Sequence, residues 1–539
     1  MYARPLAQAL ERLRRALATV PDLPGPVEVT GCVATVGSSL RMQLDQAVLP
    51  VVVEELGRTA ARGDLRGGTP QERYRSFWED GHLSAERLAR DYPVVSAALD
   101  VIAGSTADSV ALAVRRLAAE LPALQAAMPA LSGPAADITL VGGDRHAGGG
   151  QVLRFKLRDG GGVYYKPVPQ SSSTLFHDFL GLLGVPEEMR PARPRVVEGS
   201  AHGWMQEVAF APCATAAEVC RYWTRCGVLL AACCLLNFTD GHFENLIAAG
   251  EHPVLIDTET MLQNYSWRNP TGTLESVVDT GLVQPSDPRT PGRGSFSAFQ
   301  VMGSDRLSTL APFAVHRHTD AMGVGFRRMT HAPPLNLPVL DGRFQSADGY
   351  LRELVQGFDT VFTLCRARRA KILAATDFWD RVAAHQGRQI IRETAHYARL
   401  LRLIQQPTSA RSWPATDAEL NRHLRVGTAS RYDRLVPGEV AALRDQDIPY
   451  FTHLASATHL SCGPATHTRF FRTPALAQVR QNIAERGPAF VAAQVAFLHD
   501  HLSTPPPDPS LTPADQHLLR ASSAAHSGGH HHEPADDLL

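Results

Sequence analysis

Apolar residues recur at helical spacing through the first 130 positions, as in ERLARDYPVVSAALDVIAG and VALAVRRLAAELPALQAAM. Residues at i, i+3, i+4 and i+7 share one helix face, so residues 1–130 are expected to form a helical region. Near residue 131 the texture changes. The runs ITLVGG, QVLRFKL and GVYYKPV are short and rich in β-branched or aromatic residues, with glycine clusters at 146–150 and 159–162. Such runs predict a small antiparallel sheet within 131–215. Helical periodicity returns over 216–505, beginning with AEVCRYWTRCGVLLAACCLL. Two stretches interrupt it: TDGHFENLIAAGEHPVLIDTET at 239–260 and the Gly/Pro/Ser-rich QPSDPRTPGRGSFSAFQ. In the first, Leu246-Ile247 and Val254-Leu255-Ile256 have strand character and flank a turn at Gly250-Glu251-His252, which predicts a buried hairpin with carboxylates at its ends. Residues 506–539 are rich in Pro, Ser and acid and include His530 to His532; that composition predicts a disordered tail.

The amino terminus, MYARPLAQALERLRRALA, is amphipathic and lacks the continuous apolar segment of a secretory signal. Gly227–Phe238 is the strongest apolar run, about a dozen residues against the ~20 that cross a bilayer. It reads as a buried core helix, and no membrane span is expected.

Composition narrows the picture modestly. The 539 residues are 44% hydrophobic and 20% charged, ordinary for two to four packed globular units. A net charge of −1 and a pI near 7.1 argue against a strongly basic nucleic-acid or membrane binder. Eight cysteines without a Cys-x-x-Cys pair suit reduced thiols and a cytoplasmic location. Basic positions are arginine except at Lys156, Lys166 and Lys371. A strand-end lysine usually extends its ammonium to solvent. In so arginine-rich a chain, however, Lys166 between Tyr165 and Pro167 stands out as a compact point charge.

The order of parts is strand, glycine-rich turn, strand, strand ending in Lys166, long buried helix, D-x-H-x-x-N, hairpin and D-x-E. That is the order of a kinase. The fold class expected is α+β, two-lobed and kinase-like, with an N-terminal helical region. Backbone amides at Gly148 and Gly149 would approach ATP phosphates, and Lys166 would pair with phosphate oxygens. Asn245 and Asp257 would bind Mg²⁺, with Glu259 a third candidate ligand. Asp240 falls where a kinase places the residue that orients or deprotonates the attacking hydroxyl, and His242 follows two positions on. Individually these residues suit blander roles as turn, helix cap or core histidine; their joint spacing carries the reading. There is no Gly-Lys pair, G-x-S-x-G or H-E-x-x-H anywhere in the chain, so no rival motif competes.

Several of these stretches resemble the dehydratase domain of class II lanthipeptide synthetases, the LanM enzymes. They are LRGGTPQERYRSFW, DYPVV, GGDRHAGGGQVLRF, VYYKP, TDGHFENLIAAGEHPVLIDTET, GTLESVVDTGL, HTDAMGVGF, NLPVL, GRQIIRETAHY and DIPYF, in family order. The resemblance implies a lipid-kinase-related fold and ATP-dependent phosphorylation of Ser or Thr in a ribosomal precursor peptide. Elimination of phosphate to dehydroalanine or dehydrobutyrine would follow. It places Lys166, Asp240, His242, Asn245 and Asp257 in the phosphorylation set, and Asp144, His146, Arg388 and Thr394 among positions linked to elimination. The base for elimination stays open between His146 and Lys166. Arg388 and Thr394 are six apart, about 240° around an ideal helix, so they would converge only where a helix starts or breaks near Gly387.

The resemblance also implies partners: a precursor with leader and core and, because LanM proteins continue into a zinc-bearing cyclase, a separate cyclase if rings form. Residues 1–130 would match the region that binds leader or supports the kinase. Two other readings remain: a peptide kinase without elimination, and a non-catalytic, kinase-like precursor-binding module.

Overall fold

The structure is a computed structural model describing residues 3–18, 29–141, 144–158, 160–267, 275–285, 296–300, 309–329, 335–425 and 430–502. The expected tail, with His530 to His532, lies outside the described residues, as does most of the Gly/Pro/Ser-rich stretch.

Five helices come first: α1 (Ala3–Ala18), α2 (Val29–Ala61), α3 (Pro70–Glu79), α4 (Ala85–Asp91) and α5 (Pro93–Ala127). The glycines of LRGGTPQER deliver the chain into a capping box. Thr69 Oγ1 accepts from the Glu72 amide at 3.2 Å, the Glu72 carboxylate accepts from the Thr69 amide at 3.0 Å, and Pro70 occupies the first helical position.

Helices α2 and α5 each serve two cores. Their Leu44, Val48, Val52, Val95 and Leu99 pack with Tyr74, Phe77 and Leu88, while Val33, Val36, Val110, Val114 and Leu117 lie under the sheet. Buried on changing sides, α5 is the one described helix long and apolar enough to cross a membrane by length and composition, with 56% of its most apolar window buried. That departs from the expectation based on continuous apolar runs. Small and polar residues interrupt the run here, yet the window as a whole stays apolar, as it also does in packed core helices.

The sheet is antiparallel, ordered β1-β2-β3-β5-β4, from β1 (Ala135–Leu140), β2 (Leu153–Leu157), β3 (Gly162–Lys166), β4 (Val196–Glu198) and β5 (Gly203–Gln206). Alternation works as the pleat requires: Leu153, Phe155 and Leu157 are buried together with Ile138, Tyr165 and Trp204. A polar seam joins this face to α5. Glu120 accepts from Trp204 Nε1 at 2.6 Å and lies 3.0 Å from His202 Nε2, and Arg116 Nη1 donates to the Tyr165 hydroxyl at 2.5 Å. Between β3 and β4 runs α6 (Ser171–Leu183), which ends on Gly184 at φ 72°.

Beyond the sheet, α7 (Ala216–Leu235) leads to the hairpin of β6 (Leu246–Ala249) and β7 (His252–Leu255), paired Leu246 with Leu255. A second hairpin, β8 (Thr309–Val315) with β9 (Gly323–Met329), reaches back so that Ala314 and Met322 join the core of α2 and α5. A short ribbon of β10 (Val339–Leu340) and β11 (Arg343–Phe344) precedes α8 (Leu351–Leu373) and α9 (Thr376–Ala384). Then come β12 (Gln386–Gln389), α10 (Thr394–Ile404), α11 (Trp413–Arg425), α12 (Ser430–Asp433), α13 (Val436–Arg444) and β13 (Phe451–Leu454). The described chain ends with β14 (Leu460–Cys462), β15 (Ala465–His467), α14 (Ala475–Glu485) and α15 (Pro488–Leu502). Strands β12 to β15 form a four-stranded sheet in chain order.

Helices α7 and α8 touch backbone to backbone. A Cβ on Gly227 would collide with Leu354 O, and one on Gly357 with Thr224 O. All eight cysteines are free, and every one except Cys220 is buried. Desolvation raises the buried thiols, Cys213, Cys365 and Cys462 each to about 11 and Cys32 to about 12.

Candidate active site

The segment Thr239–Asn245 leaves α7 through two residues in left-handed backbone, Asn237 at φ 51° and Asp240 at φ 69°. Such a conformation at a non-glycine residue costs energy and must be held by its surroundings. Several bonds hold it. Gly241 N donates to Thr280 O at 2.8 Å, His242 N to Asp240 O at 2.8 Å, and Asn245 Nδ2 to Asp240 O at 2.9 Å. Gly281, at φ 76°, passes so close that a Cβ on it would lie 2.7 Å from Gly241 N. The motifs TDG and DTG therefore fix each other, an interlock that requires glycine on both sides.

The Asp240 carboxylate is crowded. Burial pushes it up, His242 and Arg388 oppose that, Asp257 and Glu259 reinforce it, and the result is a carboxyl at about 6. His242 Nε2 lies 4.0 Å from Asp240 Oδ1, and His242 Nδ1 accepts from the Glu244 amide at 3.3 Å. That second bond places the ring proton on Nε2, facing Asp240.

Because Leu246 pairs with Leu255, the hairpin brings Asn245 and Asp257 side by side at its open end, with Ile256 N donating to Asn245 O at 2.9 Å. Lys166, at the end of β3, is buried and donates to Ile256 O at 2.7 Å, with Asp257 Oδ2 3.3 Å from its Nζ. Burial alone would raise Asp257; Lys166, the Glu259 amide and Arg388 outweigh it and hold the carboxyl below its ordinary value. Asp257 thus stays an anion. Donation by Asn245 Nδ2 turns its amide oxygen away from Asp240. One carboxylate and one amide oxygen suit Mg²⁺, which keeps waters and phosphate oxygens for its other positions. Among the described residues no group of three His, Cys, Asp or Glu is arranged to hold a metal.

Glu259 is engaged elsewhere. Its Oε1 lies 2.5 Å from Arg388 Nη1 and its Oε2 accepts from the Tyr450 hydroxyl at 3.0 Å. Both oxygens of Glu259, expected as a third metal ligand beside Asn245 and Asp257, thus have protein partners. Arg388 also stacks on the Tyr450 ring, 5.2 Å from its centroid. Although burial opposes it, Glu259 and Tyr450 hold the guanidinium charged more firmly than usual.

Arg388 sits on strand β12, paired with Thr452, and Thr394 opens helix α10. The helix considered for GRQIIRETAHY is therefore a strand, a bend and then a helix. In that geometry the two residues converge on Asp144: burial raises its carboxyl, and the Arg388 charge and a hydrogen bond from Thr394 lower it again. His146 Nδ1 lies 2.9 Å from Ile448 O and its ring centroid 5.1 Å from that of Tyr450. With Nδ1–H donating to that carbonyl, Nε2 carries the lone pair. Burial and Arg388 press the imidazole down to about 3, so it is neutral.

The glycine-rich turn is not open. Gly148 N donates to Asp447 Oδ2 at 2.6 Å, and Gly149 N reaches Asp447 Oδ1 and Oδ2 at 3.1 Å each. A Cβ on Gly149 would strike Ser105 of α5. These amides, expected to meet phosphates, are occupied by an internal carboxylate. Glu207, the residue just past β5, is paired with Arg154 at 2.9 and 3.1 Å and takes no part in the Lys166 cluster.

The site thus gathers Lys166, Asp240, His242, Asn245 and Asp257 on one side and Asp144, His146, Arg388 and Thr394 on the other, with Arg388 felt by Asp240, Asp257, Asp144 and His146 alike. Residues 92–453 match the family described as a domain of unknown function, DUF4135. The chain belongs to the DUF4135 family. Its DUF4135 region takes in every residue of both sets. Over 420 residues the chain is 23% identical to the lacticin 481/lactococcin biosynthesis protein LcnDR2 of Lactococcus lactis subsp. lactis, covering 72% of this chain and 44% of that protein. The chain therefore spans less than half the length of that relative. These matches bear out the resemblance to class II lanthipeptide synthetases.

Reasoning from sequence missed Asp447 and Tyr450. Both belong to the stretch DQDIPYF, whose short polar and aromatic residues carry no catalytic spacing of their own. The resemblance drew in DIPYF but gave no role to either residue.

Proposed function

We propose that this chain takes part in lanthipeptide biosynthesis as the dehydratase. It would phosphorylate Ser or Thr of a ribosomal precursor peptide from ATP and then eliminate the phosphate. The fold proposed with it is a two-lobed, kinase-like arrangement in which the β1–β5 sheet faces the α7 and hairpin region. The observation that carries this reading is the position of Arg388, a buried cation set between a kinase-like cluster around Asp240 and a second cluster around Asp144 and His146.

In the first step Asp240 accepts the hydroxyl proton as the oxygen–phosphorus bond forms and the β–γ bridge of ATP breaks. Lys166 orients Asp257 and meets phosphate oxygens. Asn245 and Asp257 would hold Mg²⁺, which supplies charge neutralisation at the phosphates when bound. In the second step the Cα proton is removed, the electron pair forms the Cα=Cβ bond, and the Cβ–O bond breaks to release phosphate beside Arg388 and Thr394.

Between the two base candidates the bonding favours His146. Lys166 spends its ammonium on Ile256 O and Asp257, whereas His146 is neutral with Nε2 bearing a lone pair. An arriving phosphate dianion would offset the Arg388 charge that now depresses the imidazole, raising its basicity when it is needed.

Mass spectrometry of a co-expressed precursor tests the reading. Loss of 18 Da per modified residue is expected from the wild type, Arg388→Ala should accumulate phosphopeptide at +80 Da, and Asp257→Ala should leave the peptide unmodified. Phosphopeptide as the wild type's end product would instead indicate a peptide kinase, and no change with Mg-ATP a binding module.

A further inference from the structure

Residues 445–450 meet the glycine-rich turn along its whole length. Ile448 N donates to Arg145 O at 2.7 Å, His146 Nδ1 lies 2.9 Å from Ile448 O, and the Gly148 and Gly149 amides converge on the Asp447 carboxylate. Asp447 is 3% exposed, with Arg145 Nε 3.9 Å from its Oδ1. Three successive residues of the turn, Ala147, Gly148 and Gly149, have φ of 48°, 88° and 82°. A run of positive φ is costly outside glycine and turns consecutive amides to one side, the geometry of an anion-binding nest. Here the anion belongs to the protein, and it arrives from a segment some 300 residues along the chain. Two residues beyond it, Tyr450 packs on His146, stacks on Arg388 and donates to Glu259.

We infer that Asp447 is a positioning residue for phosphate elimination. By filling the nest it fixes the turn that carries Asp144 and His146 against the segment that carries Tyr450, and so sets His146 and Arg388 at their mutual distance. It rests on the dehydratase reading and adds to it a division of labour. The glycine turn serves the second step as an internally clamped platform, and the first step relies on Lys166, Asn245 and Asp257 for its phosphates. Burial tends to raise the Asp447 carboxyl, and the two glycine amides and Arg145 oppose this.

Asp447→Ala and the near-isosteric Asp447→Asn are to be compared with wild type in full-length protein, using Mg-ATP and a co-expressed Ser/Thr precursor peptide. Phosphate incorporation is expected to hold, while the ratio of phosphopeptide to dehydrated product rises about tenfold or more for Ala, as misplacement of a reacting group by an ångström can produce. Asn, which keeps one acceptor oxygen for the amides, should fall between. A merely structural role would lower both steps together; that outcome, or an unchanged ratio, overturns the inference. Hydrogen exchange over residues 144–150 provides a readout independent of any peptide. Asp447→Ala should speed exchange there and leave the β6–β7 hairpin as in wild type, and equal protection in both proteins would refute the clamp. A wild type that neither phosphorylates nor dehydrates would instead sink the dehydratase reading, leaving the exchange result to decide the clamp by itself.

Discussion

At the residue scale the pH behaviour of Asp240 is the sharpest consequence of the site. Its carboxyl stands at about 6 in the folded chain and would return to about 4 on unfolding. Because the folded state then holds the proton more tightly, stability falls as pH rises from about 4 to about 6. Asp240→Asn removes that loss, so its melting temperature should exceed wild type's by more at pH 7.5 than at pH 4. Phosphorylation should show the opposite trend. With Asp240 as the proposed base, kcat/KM for phosphate transfer should climb with pH through about 6 in wild type, and Asp240→Asn should abolish it at every pH. Glu259 makes a second case. It is the counter-ion of a buried guanidinium, with side chains 10% exposed at Arg388 and 17% at Glu259. Glu259→Gln should destabilise the chain by about 3 kcal/mol in thermal or denaturant unfolding, and millimolar phosphate should recover more stability in that variant than in wild type. That Asp240, His242, Asn245 and Asp257 come together was legible in the sequence, since D-x-H-x-x-N and D-x-E flank a short hairpin. What each oxygen binds was not. The occupancy of Glu259 by Arg388 and Tyr450 depends on contacts 129 and 191 residues apart, which no local pattern encodes.

Among the elements, the ones read most readily were those with a strong local signal. The β6–β7 hairpin follows from two apolar runs and a Gly-containing turn, and α7 from its unbroken greasy stretch. Strand β12 was hidden, since Gln386–Gln389 is short and polar and is a strand only through its pairing with β13. That α5 serves two different cores was hidden for a similar reason. Contact between α7 and α8 gives an element-scale prediction. A methyl group at Gly227 has no room beside Leu354 O, so Gly227→Ala should cost about 1 to 3 kcal/mol. Since α7 delivers Asp240 to the site, phosphorylation should fall further than the lost stability alone explains, as circular dichroism melts alongside peptide phosphorylation assays would reveal.

For the whole molecule, the helices before residue 128 are structural partners of the sheet and of the carboxy-terminal half. The sheet core contains Val36, Val110 and Leu117, and buried Glu55 gathers Tyr92, Arg58, Arg87 and Arg411. Removing residues 1–128 should therefore expose Ile138, Phe155 and Trp204 and yield aggregated protein in size-exclusion chromatography, whatever role the helices have toward a peptide. In the sequence, the change from helical to strand texture near residue 131 suggested a boundary between units. The shared cores make it a change of element type within continuous packing.

The cysteines, finally, make the molecule its own opening counter. Seven thiols are enclosed at places spread from Cys32 in α2 to Cys462 in β14, and Cys220 alone has partial access to solvent. An alkylating reagent applied to the folded protein would tag a closed molecule about once. Each further adduct would mark a particular region that had come apart, and its position would name which core yielded first.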